Sequence, residues 1–252
     1  MKHLGLVSVS FRQLTPEEVI LCAQDAGLRA IEWGADIHCK PGDAAAAAAV
    51  YERAAASGLD CAAYGSYYRV GAADAGNAAF EDILDTADAL KAGIIRVWAY
   101  NKGSAEVDAA EYAGVVADMK RICAMAAERS MKISLECHNN TLTDDYNSAL
   151  RLLDAVSAEN LTMYWQPNQF KSDEYNRQSA KELRDYVTNV HVFNWKGKEK
   201  YPLAGAMDLW KSYIALLEGA RYEHDYLLEF MPNGTPQELT SEAQALKGFF
   251  LS

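Results

Sequence analysis

Short apolar runs recur about every 30 residues along the chain, and this spacing limits the possible fold more than any other feature. A longer stretch in which apolar residues recur at helical spacing follows each run. Continuous apolar runs of this length are typical of strands that are buried on both faces, as in a parallel sheet. The eight predicted strands are Leu4–Ser10, Ala30–Trp33, Cys61–Tyr64, Ile94–Ala99, Lys132–Glu136, Leu161–Gln166, Val190–Phe193 and Tyr226–Phe230.

The stretches between these runs contain signals for the starts and ends of helices. Residues 15–18 read Thr-Pro-Glu-Glu, the order of an N-cap, a proline at the first helical position and an acidic first turn. Asp43 precedes a run of alanines and predicts a second helix start. A left-handed residue after a helix is least costly for glycine, which predicts helix ends at Gly27, Gly58 and Gly93.

Eight strand–helix units follow one another without a linker rich in Pro, Ser or Gly, so the sequence predicts one domain over residues 1–252. The predicted fold class is α/β, with a parallel (β/α)8 barrel as the architecture. An open, doubly wound sheet is the alternative. The even spacing, the absence of a GxGxxG turn and the length of 252 residues favour the closed barrel.

The charge and the cysteines restrict the class of function. A formal net charge of −11 argues against a general affinity for nucleic acid or for anionic membranes, but permits a cation site. The sequence has no continuous apolar stretch of the roughly 18 residues that a membrane span needs. Five scattered cysteines without a CxxC pair, and an N-terminus without a signal-peptide layout, predict a cytoplasmic protein with reduced thiols.

Three polar residues close the later predicted strands, where a parallel barrel places its catalytic groups. They are Glu136 on strand five, His191 on strand seven and Glu229 on strand eight. Two carboxylates and an imidazole suit a divalent cation such as Mn, Mg, Co or Zn. A single glutamate could equally pair with a lysine or cap a helix, and a single histidine is more often a core residue. Three on separate strands favour a site in which the metal binds two substrate oxygens and the glutamates move a proton.

Further residues just beyond the strand ends are candidates for substrate binding. Aromatic faces pack against the C–H surfaces of sugars, while amides and charges hydrogen-bond their hydroxyls. Each of these residues could also be ordinary packing, and Lys196 could bind a phosphate or carboxylate or belong to a solvated loop. The candidates are Trp33, His38, Tyr64, Arg69, Trp98, His138, Asn168, Asn194 and Lys196.

Several segments spread over the whole chain form a recognisable set. They are residues 5–11 (GLVSVSF), 15–18 (TPEE), 26–28 (AGL), 31–34 (IEWG), 95–98 (IRVW), 134–143 (SLECHNNTLT), 191–193 (HVF) and 228–230 (LEF). In these segments the sequence resembles the xylose-isomerase-like superfamily of TIM barrels. That superfamily includes sugar and sugar-phosphate isomerases and epimerases, inosose-type dehydratases and zinc-dependent apurinic endonucleases.

The resemblance implies a set of metal ligands. Epimerases of the superfamily bind one divalent metal through a glutamate, an aspartate, a histidine and a second glutamate on strands five to eight, and the two glutamates serve as acid and base. Glu136, His191 and Glu229 match this pattern, but Gln166 stands in place of the aspartate and Gln169 in place of a histidine that often follows it. An amide oxygen can still ligate, although the site loses one formal charge. We therefore expect a weakly held, exchangeable cation, or none.

The leading hypothesis is a metal-assisted isomerase or epimerase that acts on a small sugar, keto-sugar or polyol by proton transfer between Glu136 and Glu229. One alternative is a dehydratase or lyase on the same scaffold, and another is a sugar-binding barrel whose metal site has eroded. An apurinic endonuclease is the least favoured, because it needs several zinc ions and this acidic chain has five histidines. The expected partner is a small carbohydrate rather than nucleic acid or a membrane. The sequence leaves open whether the protein forms a homo-oligomer, because members of the superfamily it resembles are often dimers or tetramers.

Overall fold

Eight parallel strands close into a barrel in the order β1-β8-β7-β6-β5-β4-β3-β2. This is the architecture of the computed structural model, which describes residues 3–72 and 76–250. The strands are β1 Leu4–Val7, β2 Ala30–Gly34, β3 Asp60–Val70, β4 Ile94–Ala99, β5 Lys132–Glu136, β6 Leu161–Trp165, β7 Val187–Val192 and β8 Asp225–Leu228.

A helix follows each strand in the described part of the chain, which confirms the predicted (β/α)8 barrel. The helices are α1 Pro16–Asp25, α2 Ala44–Ala56, α3 Phe80–Ala89, α4 Ala109–Ala127, α5 Tyr146–Val156, α6 Asp173–Leu183, α7 Met207–Leu217 and α8 Leu239–Gly248. Their apolar faces and the outward residues of the strands form the main hydrophobic core. None of these helices, within residues 3–72 and 76–250, has the length and apolarity that crossing a membrane requires.

The predicted helix starts at Thr15 and Asp43 are confirmed. The Thr15 hydroxyl accepts from the amide of Glu18, and the Glu18 carboxylate accepts from the amide of Thr15, which forms a capping box. Asp43 accepts from the amide of Ala46. Gly27 and Gly58 have positive φ, as predicted. The expectation for Gly93 is wrong, because Lys91 takes the left-handed conformation after α3 and the chain has already turned before Gly93.

Two predicted strands differ from the observed ones. The first was expected to run to Ser10, but β1 ends at Val7 and residues 8–11 form a 3-10 helix. The Ser8 hydroxyl there accepts from the amide of Gly34, and that of Ser10 accepts from the amide of Phe230, so this turn hydrogen-bonds the ends of two other strands. The third strand is longer than predicted, with a register shift between Gly65 and Arg69 and a left-handed Tyr67 between them.

Charged side chains point into the barrel near its mouth. Alternate residues of a strand point to opposite faces, and a small apolar cluster, separate from the main core, draws buried residues from five strands and from the 3-10 helix after β1. Glu32 in β2, Arg96 in β4, Glu136 in β5 and His191 in β7 are all buried inside the barrel. A short hairpin of Trp195–Lys196 and Glu199–Lys200 follows β7 beside the mouth. The fold thus directs several charged groups into one small space.

Candidate metal centre

Three potential ligands converge at the carboxyl ends of β5, β7 and β8. One ligand atom from each of Glu136, His191 and Glu229 lies within 4.8 Å of the other two, and all three residues are buried. The Nδ1 atom of His191 is 3.5 Å from Oε1 of Glu136 and 3.7 Å from Oε1 of Glu229. The amide oxygen of Gln166, just after β6, lies 3.0 Å from the same nitrogen. Three oxygens therefore face one imidazole nitrogen.

The opposite nitrogen of His191 contacts a fourth acidic residue. Oε2 of Glu32 lies 3.0 Å from Nε2 of His191, and Oε1 of Glu32 accepts a 2.7 Å hydrogen bond from Nε of Arg96. Arg96 also donates through Nη1 to Oε2 of Glu136, and the indole nitrogen of Trp98 donates to the same oxygen. Glu136 and His191 are thus connected behind the site through Arg96 and Glu32.

The charges shift the pKa values of the two candidate catalytic glutamates in opposite directions. Burial acts to raise the pKa of Glu136, but the charge of Arg96 and the contact with His191 outweigh burial and hold that pKa far below its usual value. For Glu229 burial prevails over the charge of His191, and the neighbouring Glu136 raises its pKa further. Glu136 is therefore held as an anion, while Glu229 binds a proton more readily than an ordinary glutamate.

Glu32 and His191 form a strongly polarised buried pair. Burial raises the pKa of Glu32, but Arg96 and His191 overcome that effect and lower it to about 2. Burial lowers the pKa of His191, yet the carboxylates of Glu229 and Glu32 raise it to about 10. Buried charges are tolerated only when they are paired, and each of these groups has a partner of opposite charge.

The donor set fits a divalent cation. Oxygen atoms from two glutamates and an amide, with one imidazole nitrogen, are hard to borderline ligands of the kind that Mg, Mn, Co and Zn accept. The second nitrogen of the histidine contacts a carboxylate, as metal-ligating histidines usually do. Glu136, Gln166, His191 and Glu229 are the residues that could hold such an ion.

A small cavity opens directly above these ligands. Its volume is about 170 Å³, and its lining includes Glu136, Gln166 and Glu229. One wall is aromatic: the ring centroid of Trp195 lies 5.1 Å from that of Phe193 and 5.5 Å from that of Phe230. The remaining lining residues are Arg12, Tyr67, Arg96, Trp98, His138, Asn139 and Gln169. This combination suits a small polar molecule with an apolar ring face.

A family model described as the xylose isomerase-like TIM barrel matches residues 21–248 of the chain. The chain belongs to this family. The predicted resemblance is thereby confirmed.

One curated protein aligns with part of the chain. The chain is 32% identical over 120 residues to a 3-dehydroshikimate dehydratase of Bacillus anthracis, a match that covers 45% of this chain and 41% of that protein. The chain therefore aligns with less than half the length of this curated relative.

Two solved structures share the fold over almost the whole chain. One is the crystal structure of the "probable 3-DHS dehydratase AsbF involved in the petrobactin synthesis from Bacillus anthracis", with a TM-score of 0.81, 21% identity, and coverage of 98% of this chain and 99% of that one. The other is a D-allulose 3-epimerase of Methylomonas sp., with a TM-score of 0.73, 16% identity, and coverage of 98% and 96%.

The structure places most of the site residues predicted for this chain around the mouth of its barrel. Trp98 and His138 line the central cavity together with Glu136, Gln166 and Glu229. Asn168, Asn194 and Lys196 line a second cavity of about 380 Å³, which adjoins the first along Gln169, Phe193 and Trp195. Arg69 lines a third cavity of about 340 Å³ and lies over the indole of Trp98, 4.4 Å from the ring centroid.

Three predicted residues lie elsewhere. Trp33 and Tyr64 belong to the main core between barrel and helices, because each follows an inward position of its strand and therefore points outward. The hydroxyl of Tyr64 donates to the carbonyl of Cys39. The ring of His38 is held by the Ser8 hydroxyl and the Leu14 carbonyl. In the structure these three side chains have packing and hydrogen-bonding roles away from the cavity.

The list of candidate site residues from the sequence did not include Glu32 and Arg96, which connect Glu136 to His191. Both are charged residues inside apolar strand segments, and a charge in such a run requires a buried partner of opposite sign. That signal was present in the sequence. The sequence did not show which residues are partners, because Glu32 and Arg96 are 64 residues apart and meet only when β2 and β4 pair with β3 between them.

Proposed function

We propose that this chain is a divalent-metal-dependent dehydratase that acts on a small hydroxylated keto acid of the 3-dehydroshikimate type. The observation that carries the proposal is the asymmetry between the two glutamates. Glu136 is ion-paired to Arg96 and accepts a second hydrogen bond from Trp98. Glu229, whose pKa is raised, is the carboxylate suited to gain and lose a proton during turnover.

The chemistry requires one residue to remove a proton and return it. Glu229 takes a proton from the carbon next to the substrate carbonyl, and the electron pair of that C–H bond forms a double bond as the C–O bond of the neighbouring carbon breaks. The leaving hydroxide takes the proton back from Glu229 and departs as water. Glu136, Gln166, His191 and Glu229 would hold a divalent cation, which would supply Lewis acidity at the substrate oxygens.

Other residues of the cavity suit the same substrate class. Arg12 lines the cavity and can pair with a carboxylate, and its guanidinium lies over the ring of Phe230 at 5.7 Å. The aromatic wall of Phe193, Trp195 and Phe230 suits the face of a six-membered ring that becomes planar. The dehydratase of Bacillus anthracis, 32% identical over its matched segment, supports the same choice.

The direct test is incubation of the purified protein with Mn²⁺ and 3-dehydroshikimate. We expect a product that has lost one water and that, once the remaining ketone enolises by moving a ring CH₂ proton to its oxygen, has the absorbance of an aromatic ring. Glu229→Gln should abolish turnover, while Glu242→Gln, the same change at a buried glutamate of α8, should leave it intact. Absence of any product that has lost water would contradict the proposal.

Epimerisation or isomerisation of a small ketose is the second candidate. Glu136 and Glu229 both line one cavity, which is the arrangement that proton transfer between two carboxylates needs. This reaction predicts incorporation of solvent deuterium into the substrate without loss of water. Binding of a sugar without turnover under any added metal would instead identify a binding protein.

A further inference from the structure

Glu32 is a buried carboxylate that contacts no cavity yet touches two groups of the site. It is fully buried in β2, and each of its oxygens faces a different N–H donor. Oε1 accepts from Nε of Arg96 at 2.7 Å, and Oε2 lies 3.0 Å from Nε2 of His191. Burying a carboxylate is costly without such partners, so its presence at this depth calls for a role beyond packing.

The contact with Glu32 fixes the position of one hydrogen of His191. A carboxylate can only accept, so the hydrogen between Oε2 and Nε2 belongs to the imidazole. With Nε2 protonated and held by Glu32, the lone pair that can bind a metal is that of Nδ1, once metal binding displaces the proton that Nδ1 carries in the metal-free protein. Nδ1 is the nitrogen that faces the oxygens of Gln166, Glu136 and Glu229.

Arg96 imposes a similar choice on Glu136. Its Nη1 atom and the indole nitrogen of Trp98 both donate to Oε2 of Glu136. The other oxygen, Oε1, lies on the side of His191. In the hydrogen-bonded pair of Glu32 and Arg96, Glu32 therefore orients His191. Arg96 occupies Oε2 of Glu136 and leaves Oε1 facing the site.

We propose that Glu32 is a positioning residue that selects Nδ1 of His191 as the metal-binding nitrogen and, through Arg96, leaves Oε1 of Glu136 as the second ligand atom. This inference rests on the proposed metal-dependent function. It assigns a role to a residue that is outside the candidate ligand group and outside the lining of the central cavity.

Glu32→Gln is the informative variant because it keeps the shape and changes one acceptor into a donor. The amide nitrogen cannot face the N–H of Arg96, since two donors would meet, and so it turns to Nε2 of His191. That contact favours the tautomer with hydrogen on Nδ1, which removes the lone pair from the metal side. Loss of a partner that orients a ligand typically lowers metal affinity by about 10–100-fold.

The experiment titrates the wild type, Glu32→Gln and Glu242→Gln with Mn²⁺ in the absence of substrate. The electron paramagnetic resonance signal of unbound Mn²⁺ gives the Kd of each protein. We expect weaker binding by about 10–100-fold in Glu32→Gln and no change in Glu242→Gln, which makes the same substitution at a buried glutamate outside the lining of the three cavities and outside the candidate ligand set. Equal Kd values for all three proteins would overturn the role of Glu32 while leaving the metal-dependent function intact. Absence of binding to the wild type itself would reject that function, and this inference with it.

A second measurement keeps the inference testable if Glu32→Gln fails to fold. Wild-type protein labelled with ¹⁵N-histidine and loaded with Zn²⁺ should show His191 with hydrogen on Nε2 and the metal on Nδ1. A spectrum with the metal on Nε2 would refute the assignment, whatever the variant does.

Discussion

Gln166 offers a neutral oxygen at a position where a carboxylate would add charge to the site. Its amide oxygen is 3.0 Å from Nδ1 of His191, and its amide nitrogen donates to the carbonyl of Cys137. Asp at this position would bring a formal charge beside the cation, and it would give up the hydrogen bond to that carbonyl because a carboxylate cannot donate. We expect Gln166→Asp to lower the Kd of Mn²⁺ about tenfold or more, a gain of about 1.4 kcal/mol, measurable by calorimetry.

The matched control for this prediction is Gln169→Asp. Gln169 also lines the central cavity, but it is not among the groups that contact His191. The substitution Gln169→Asp adds the same charge to the mouth of the barrel without adding a ligand. If Gln169→Asp tightened binding as much as Gln166→Asp, the gain would come from the general field of the mouth, and Gln166 would not be a ligand position.

Gly65 leaves room for the side chains of Arg96 and Glu32, which connect Glu136 to His191. A Cβ atom built at this position would lie 2.6 Å from Nη2 of Arg96 and 2.7 Å from Oε1 of Glu32. We expect Gly65→Ala to displace both groups, to destabilise the fold by about 1–3 kcal/mol through overpacking, and to weaken Mn²⁺ binding. Urea unfolding and metal titration measure the two effects.

Gly114→Ala is the control for this substitution. Gly114 lies inside α4 and a Cβ there meets nothing within 4 Å, so alanine should stabilise the helix by about 0.5–1 kcal/mol. Metal binding should not change. Gly65→Ala with wild-type stability and wild-type Kd would show that Arg96 and Glu32 can shift without consequence.

At the scale of elements, the sequence located the strands better than it located the direction of their side chains. Apolar runs indicate where a strand lies, and the polar residues that end strands five, seven and eight did converge. Trp33 and Tyr64 also end predicted strands, but Tyr64 lies in the middle of the observed β3 and both side chains point outward into the core. A one-residue difference reverses the face of a side chain, and a continuous apolar run contains no alternation that would show which face is inner.

The capping box of α1 and the uncapped start of α3 form a natural pair for a test of local stability. Thr15 caps α1, the helix that follows the segment bearing Arg12. Ala79 stands at the N-cap of α3 and makes no side-chain hydrogen bond. We expect Thr15→Ala to cost about 1 kcal/mol in the free energy of unfolding and Ala79→Ser to add a comparable amount. Thermal unfolding of both variants checks this, and equal Tm values for Thr15→Ala and wild type would contradict it.

A buried glutamate connects the last helix to the loop after β7. Glu242 of α8 accepts a 3.0 Å hydrogen bond from the amide of Leu203. Burial raises its pKa; this amide opposes the shift, and Glu238 adds to it. The folded state then holds the proton of Glu242 more tightly than the unfolded chain does, so the ionised form destabilises the fold once the pH exceeds the unfolded pKa.

Glu242→Gln should therefore stabilise the protein at neutral pH, because the amide oxygen can still accept from Leu203 and the buried charge is gone. The gain should begin to shrink as the pH falls through the folded pKa and should vanish below the unfolded pKa, where Glu242 is neutral in both states. The measurement is the difference in Tm between variant and wild type from pH 4 to pH 8. A difference that stays constant across this range would contradict the assigned cause.

On the scale of the whole molecule, the even spacing of eight units predicted a closed barrel, and the barrel in turn explains where the charges are. The chain carries a net charge of −11, yet cationic residues line its three adjoining cavities: Arg12 and Arg96 in the first, Lys196 in the second and Arg69 in the third. Spacing along the sequence could not predict this arrangement, since it depends on contacts between strands and loops that are distant in the chain. Glu32, which meets His191 across 159 positions, is the clearest case.

The barrel has an extensive core that does not involve the metal ligands, so the metal-free protein should be folded and the cation should act as a stabilising ligand. At a free Mn²⁺ concentration of 100 times Kd, binding to the native state adds about 2.7 kcal/mol. For a chain of this size each kcal/mol raises Tm by about 2–4 °C, which predicts a shift of roughly 5–10 °C. Differential scanning calorimetry with and without a chelator measures it. The double variant Glu136→Gln/Glu229→Gln should show no shift. An equal shift in that variant would mean that the ion binds at the surface and that the candidate centre is not a metal site.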